Sequence, residues 1–280
     1  MSQSQILGVI SDLHIDNNAR NLQKGETFEV LLANLLIERE VDTLLMAGDV
    51  SNNYLKTQAF IEEVEDRSGV EILFVPGNHD FWQKEPTEGQ AWDIYDFFQK
   101  QSQSLIAKPR HLSDEWAIVG NPGWYDYEYA DLEKYDLDEL AKRRLRFGDW
   151  NDKHYVNFGE SDRTVSRKMK EQLEQDLKSV GDKKIILMTH VATHSQFVVP
   201  TPHRLYSYMN AFLGAKSYEE LYKNKGYDIQ YNIMGHVHFQ QRYYSDQCLH
   251  MMACLGNRRH WLNKDNVKAE LSNALLTFTI

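Results

Sequence analysis

Five short apolar runs set what this chain can become. Ile6–Ser11, Thr43–Ala47, Ile72–Val75, Lys184–Met188 and Ile229–Met234 carry too little polar alternation for half-exposed strands. They read as strands buried on both faces. Between the first three lie segments with helical spacing. Phe28, Leu31, Leu32, Leu35 and Leu36 form an apolar stripe within Glu26–Glu40, and a second helix spans about Leu55–Ser68. Strand, helix and strand in this order build a parallel sheet covered by crossover helices. A hydrophobic content of 42% is enough to fill its core.

Further elements follow the same logic. Gln90–Ser104 reads as a helix with Trp92, Tyr95 and Phe98 on its apolar face. Trp116–Gly120 reads as another strand. Ser161 is an N-cap candidate for a helix reaching Val180, and a helical region lies around Tyr218–Lys225. The last stretch reads as antiparallel strands over Gln241–Ser245, Cys248–Leu255 and Ala269–Ile280. The segment 121–159 is different, dense in Tyr, Trp, Asp and Arg. It is either a surface excursion whose aromatics pack on the main domain or a wall of a substrate cleft. With no internal repeat or linker, a single domain over 1–280 is expected.

The residues just after each apolar run are unusual. The strand ends carry Asp12-Leu13-His14, Gly48-Asp49, Pro76-Gly77-Asn78-His79-Asp80, Thr189-His190 and Gly235-His236-Val237-His238. Alternate residues of an extended chain point the same way, so Asp12 with His14, and His236 with His238, can converge. Ligands of parallel sheets bind beyond the carboxyl ends of the strands. Carboxylates, imidazoles and an amide in this number exceed the roughly four ligands of one zinc ion. They fit two cations about 3.5–4 Å apart. Nitrogen and oxygen ligands without thiolate point to Mn, Fe or Zn.

Composition excludes other classes. A formal net charge of −10 argues against a nucleic acid duplex as the main partner. No apolar run approaches the roughly 20 residues of a membrane span. The N-terminal Met1-Ser2-Gln3-Ser4-Gln5 lacks a signal peptide's basic region and apolar core, so a soluble, cytoplasmic protein is expected. Cys248 and Cys254 sit about 20 Å apart along one expected strand, too far for a disulfide.

Taken together, Asp12-x-His14, Gly48-Asp49, Gly77-Asn78-His79-Asp80, His190 and Gly235-His236-x-His238 resemble the signature of the calcineurin-like metallophosphoesterases, in the family's order. The resemblance implies an α/β fold, a four-layer α/β/β/α sandwich with two packed mixed sheets. It implies two divalent metal ions, Mn or Fe with Zn as an alternative. Asp12, His14 and His238 would hold one, Asn78, His190 and His236 the other, and Asp49 would bridge both. A metal-bridging hydroxide would attack phosphorus directly, and His79, as imidazolium, would be the catalytic histidine that protonates the leaving oxygen.

One block departs from the protein Ser/Thr phosphatases, which carry Gly-Asp-x-x-Asp-Arg-Gly. Here Gly48-Asp49-Val50-Ser51-Asn52-Asn53 has Asn52 for the second Asp and no Arg. It looks more like the bacterial phosphodiesterase and broad-specificity branches. The expected substrate is a small phosphodiester, such as a nucleotide or cyclic nucleotide. A phosphomonoester is the alternative, and a non-catalytic scaffold would be expected to have lost ligands. Asp80 either orients its loop beside the metals or simply caps it. His194 stands close enough to His190 in sequence to line the cleft. His111, His154, His203, His250 and His260 are read as surface or packing residues. Arg258 and Arg259 either meet a phosphate or are solvated.

Overall fold

The structure is a computed structural model that describes residues 4–145 and 148–280. Met1–Gln3 of the polar N-terminus, and Arg146 and Phe147 of the aromatic segment, lie outside the described residues. The strands in chain order are β1 Ile6–Ile10, β2 Thr43–Met46, β3 Glu71–Phe74, β4 Arg110–His111, β5 Trp116–Asn121, β6 Arg144–Leu145 and β7 Gly148–Asp149. They continue with β8 Lys184–Thr189, β9 Asp228–Met234, β10 Gln240–Ser245, β11 Cys248–Ala253 and β12 Leu276–Thr279. One sheet runs β12-β1-β2-β3 and a second runs β10-β11-β9-β8-β5-β4, with β6 and β7 forming a small ribbon.

Both sheets are mixed. β1, β2 and β3 are parallel, with Val9, Leu45 and Leu73 in register, and β12 joins β1 antiparallel. β5, β8, β9 and β11 are parallel, with β10 and β4 as antiparallel edges. Strand alternation then assigns the layers. Leu7, Val9, Leu45 and Leu73 face Ile118, Ile186, Met188, Ile233 and Met251 in one core between the sheets. Ile10, Leu44, Met46, Ile72 and Phe74 point outward into a core shared with the helices Phe28–Glu38 and Tyr54–Ser68. Ala117, Val119, Ile185 and Leu187 meet Leu173 and Leu177 of the helix Asp162–Ser179. The result is the expected helix, sheet, sheet, helix sandwich.

The helices begin where the sequence supplies caps. Thr27, Asn53 and Ser161 each accept a backbone N–H of the first turn. Gly69 ends the second helix with a left-handed φ of 70°, which a glycine adopts without penalty.

The C-terminal stretch differs from expectation. Ala269–Ile280 is not one strand. Val267–Ala274 is a helix capped by Asn266, and only Leu276–Thr279 is extended. Val267, Leu271 and Ala274 are buried at helical spacing, while the strand after them is too short to dominate the pattern. Cys248–Ala253 is antiparallel to β10 as expected but parallel to β9, which makes it an interior strand. Both cysteines are free and buried. Among the described residues no helix is long and apolar enough to cross a membrane.

Asp176 in the helix Asp162–Ser179 is buried, with Oδ1 accepting Gln172 Nε2 at 3.0 Å and Oδ2 accepting nothing. Burial raises its pKa to about 6. A raised carboxyl stabilises the fold fully below its unfolded value of about 4, and that contribution is lost as pH rises through the folded value. Asp176→Asn is expected to add roughly 1–3 kcal/mol at pH 7 and to flatten the decline in stability on the way up from acid. Urea unfolding across that pH range checks it.

Candidate metal centre

Every strand that ends in a polar block ends at the same edge of the sandwich. The bends there are tight. Gly48 has φ 85°, and a Cβ on it would collide with the Gly77 backbone nitrogen and lie 2.7 Å from Gly77 Cα. A Cβ on Gly77 would run into Asp49 Oδ1. The two loops thus touch backbone to backbone, which only glycine allows. Asp12, His14, Asp49, His236 and His238 all adopt positive φ, between 43° and 71°. Left-handed backbone in five non-glycine residues of one site is strain held by the surrounding fold. Gly77→Ala is expected to cost about 2–4 kcal/mol and to lower metal content, read by thermal unfolding and metal analysis.

Asp80 ties these loops. Its carboxylate accepts Asp49 N and Gly77 N at 2.8 Å, Val50 N and Ser51 N at 3.1 Å, and Thr57 Oγ1 at 2.6 Å. These bonds both cap its own loop and orient the Asp49 loop, so its two sequence readings meet in one set of contacts. Burial, reinforced by Asp49, raises its pKa to about 7.

Side chains gather in two groups. Asp12, His14, Asp49 and His238 form one, and Asp49, His190 and His236 the other. His14 Nε2 lies 2.9 Å from His238 Nε2, and His238 Nε2 lies 3.4 Å from Asp12 Oδ1. His190 Nε2 lies 3.1 Å from Asn78 Oδ1, 3.2 Å from His236 Nδ1 and 3.4 Å from Asp49 Oδ1. Ligand atoms that share one ion at roughly 2.1 Å stand about 3.0–3.4 Å apart, so both groups fit a cation. His236 and His238 do not face one way, as an extended chain would have it. Left-handed backbone at both sends one ring to each group.

Outer hydrogen bonds fix which ring atom faces inward. His190 donates Nδ1–H to Ala47 O at 2.8 Å, and His236 donates Nε2–H to Phe212 O at 2.9 Å. On neutral rings this leaves the lone pairs of His190 Nε2 and His236 Nδ1 toward the centre. His238 Nδ1 meets the Asn257 side-chain amide at 3.1 Å. The field acts in opposite directions on neighbouring groups. Against burial, Asp49 raises His190 to about 9, and His238 holds Asp12 well below the usual carboxylate range despite its burial. His14 is pulled down to about 3 by burial and the neighbouring His79.

His79 stands beside these groups, with Nε2 4.0 Å from Asp49 Oδ2 and Nδ1 2.8 Å from Asn52 Oδ1. Burial lowers its pKa to about 4. Trp82 stacks on that ring at 3.8 Å between centroids. Asn52, noted as a departure from the phosphatase pattern, thus lies against His79. Trp82 gave no sequence signal beyond its nearness to the His79 block.

His194 does not line the centre. It caps the turn Ser195–Phe197 and packs on His250 and Tyr222. His250 is buried packing, while His111, His154, His203 and His260 are exposed. Arg258 is committed to Asp265 and to the Lys264 carbonyl. The aromatic segment packs on the main domain, the first of its two expected readings. Trp124, Tyr125, Tyr127 and Tyr129 are buried. Trp150 reaches the centre, with its ring 6.1 Å from that of His236.

The family model for calcineurin-like phosphoesterases matches residues 7–240. The phosphopantetheinyl hydrolase of Mycobacterium tuberculosis has a similar structure, with a TM-score of 0.74 over 99% of this chain and 97% of that one, at 16% identity. The TT1561 protein of Thermus thermophilus is similar with a TM-score of 0.53, 99% of each chain covered and 10% identity. At these identities the likeness is one of fold. No curated protein sequence matches the chain. The match of the family model over most of the sequence, the two packed mixed sheets and the paired ligand groups at their edge lead to one conclusion: the chain belongs to the calcineurin-like phosphoesterase family and is a metal-dependent hydrolase of phosphoric esters.

Proposed function

We propose that this enzyme hydrolyses a small phosphodiester, with nucleotides and cyclic nucleotides among the candidates, at a centre of two divalent cations. Asp12, His14 and His238 would hold one, Asn78, His190 and His236 the other, and Asp49 would reach both. The observation that carries this reading is how Asp49 is divided. Its Oδ1 is 3.4 Å from His190 Nε2 and its Oδ2 is 3.7 Å from His14 Nε2, one oxygen toward each group. Donors without thiolate favour Mn or Fe, with Zn as the alternative. Two free, buried cysteines fit a reducing, cytoplasmic compartment.

Cations bound in this cradle supply Lewis acidity toward phosphoryl oxygens and lower the pKa of a coordinated water. The chain's own groups position and move protons. Asn52 Oδ1 accepts Nδ1–H of His79, so proton exchange is left to Nε2 on the inner edge. Nε2 takes up a proton from solvent water as the negative phosphate approaches and delivers that proton to the leaving oxygen. Stacked Trp82 holds the imidazole plane.

A diester is favoured over a monoester by charge. Arg143 is bound to Asp162 and Arg258 to Asp265. With these two guanidiniums engaged, less positive charge is left beside the metals for the second negative charge of a monoester. The test is kcat/KM for bis-p-nitrophenyl phosphate against p-nitrophenyl phosphate with Mn²⁺, followed by cyclic nucleotides. The similar fold of a phosphopantetheinyl hydrolase adds a phosphopantetheinyl ester to that panel. Faster diester cleavage is expected. Faster monoester cleavage would replace this reading with a phosphatase.

A further inference from the structure

A carboxylate from the aromatic segment stands behind the metal centre. Asp152 opens the short helix Asp152–Tyr155 and is fully buried. Its Oδ1 accepts Asn78 Nδ2 at 2.9 Å and Trp82 Nε1 at 2.7 Å. Its Oδ2 accepts Trp150 Nε1 at 2.8 Å and Tyr125 OH at 3.4 Å. Three of these donors lead to the centre. Asn78 presents its oxygen to His190. Trp82 stacks on His79. Trp150 stacks on Phe212 at 5.3 Å, and the Phe212 carbonyl accepts Nε2–H of His236.

The chemistry of the Asn78 contact is decisive. The same Asp152 oxygen accepts the Trp82 indole N–H, which can only donate, and an amide has an accepting end and a donating end. The end of Asn78 that faces Asp152 must be the NH2. Its oxygen is therefore turned toward His190 Nε2, at 3.1 Å. A flip of the amide would present N–H groups to the centre, and these cannot ligate a cation. Aromatic donors suit the rest of the pocket, because an indole gives one hydrogen bond while its ring fills apolar space. A buried carboxylate is satisfied there by neutral donors.

We propose that Asp152 is a positioning residue of the metal centre: it selects the ligating end of Asn78 and, through Trp82 and Trp150, sets the planes of His79 and His236. This rests on the reading of Asn78, His190 and His236 as ligands of one cation. Removing such an outer partner typically costs about 10–100-fold in metal affinity.

The test is a double-mutant cycle on metal binding. Metal-free protein is titrated with Co²⁺ by calorimetry and visible absorption, with near-ultraviolet circular dichroism to confirm the fold. Asp152→Asn is expected to weaken one of two Co²⁺ affinities by about 10–100-fold and leave the other unchanged. Asn78→Asp removes the donor and sets two carboxylates against each other, weakening the same position. The pair Asn78→Asp with Asp152→Asn restores a hydrogen bond of reversed polarity and is expected to recover part of the loss, since the amide nitrogen that donates to residue 78 cannot also accept the Trp82 N–H. A purely structural role for Asp152 would give no such recovery. If Asp152→Asn does not fold, Asn78→Asp against the pair still decides the matter. Unchanged affinities in Asp152→Asn, or no recovery in the pair, would overturn the proposal while two metals in the parent protein leave the two-cation reading standing. Fewer than two Co²⁺ in the parent protein would overturn both.

Discussion

Asp49→Asn is expected to lower turnover by about 10³-fold or more, equivalent to roughly 4 kcal/mol of barrier. The side chain keeps its shape, and one oxygen can still accept His79 N, a bond of 2.8 Å in the parent protein. What is lost is one negative charge and one of two oxygens directed to different groups. The NH2 that replaces an oxygen cannot ligate. Metal content should fall from two per chain to one at most, with little change in circular dichroism. Two tightly held metals and turnover above a tenth of the parent rate would remove Asp49 from the bridging position.

His79→Ala should behave differently, keeping both metals and losing activity according to the leaving group. General acid catalysis typically contributes about 10²–10⁴-fold, and it matters most when the departing oxygen is basic. Alkyl esters should therefore lose a factor in that range, while a nitrophenyl ester, whose leaving group has a pKa of about 7, should lose far less. The contact with Asn52 keeps Nδ1 as the fixed donor, and the exchanging atom is Nε2. Equal losses across a series of leaving groups would indicate that His79 acts in binding or positioning.

The metal centre was legible because buried parallel strands write themselves as apolar runs, and the residue after each run must sit at the sheet's edge. The placement of Asp12, Asp49, Asn78, His190 and His236 at that edge follows from that alone. Their backbone conformation does not. Left-handed φ at Asp12, His14, Asp49, His236 and His238 is imposed by packing, and nothing in these residue types announces it. His194 shows the opposite error, since closeness to His190 in sequence is undone by the turn it caps. The helix Val267–Ala274 was hidden because a four-residue strand comes directly after it, and the two patterns merge. Asp152 was not legible at all. It sits in a segment with neither helical nor strand period, and its meaning comes from donors that are distant in the chain.

The most direct measurement of the two-cation mechanism is hydrolysis of bis-p-nitrophenyl phosphate as metal-free protein is titrated with Mn²⁺. Activity is expected to rise until two equivalents are bound per chain and to disappear when a chelator removes them. Activity that saturates at one equivalent, or that is absent at every metal level, would contradict it.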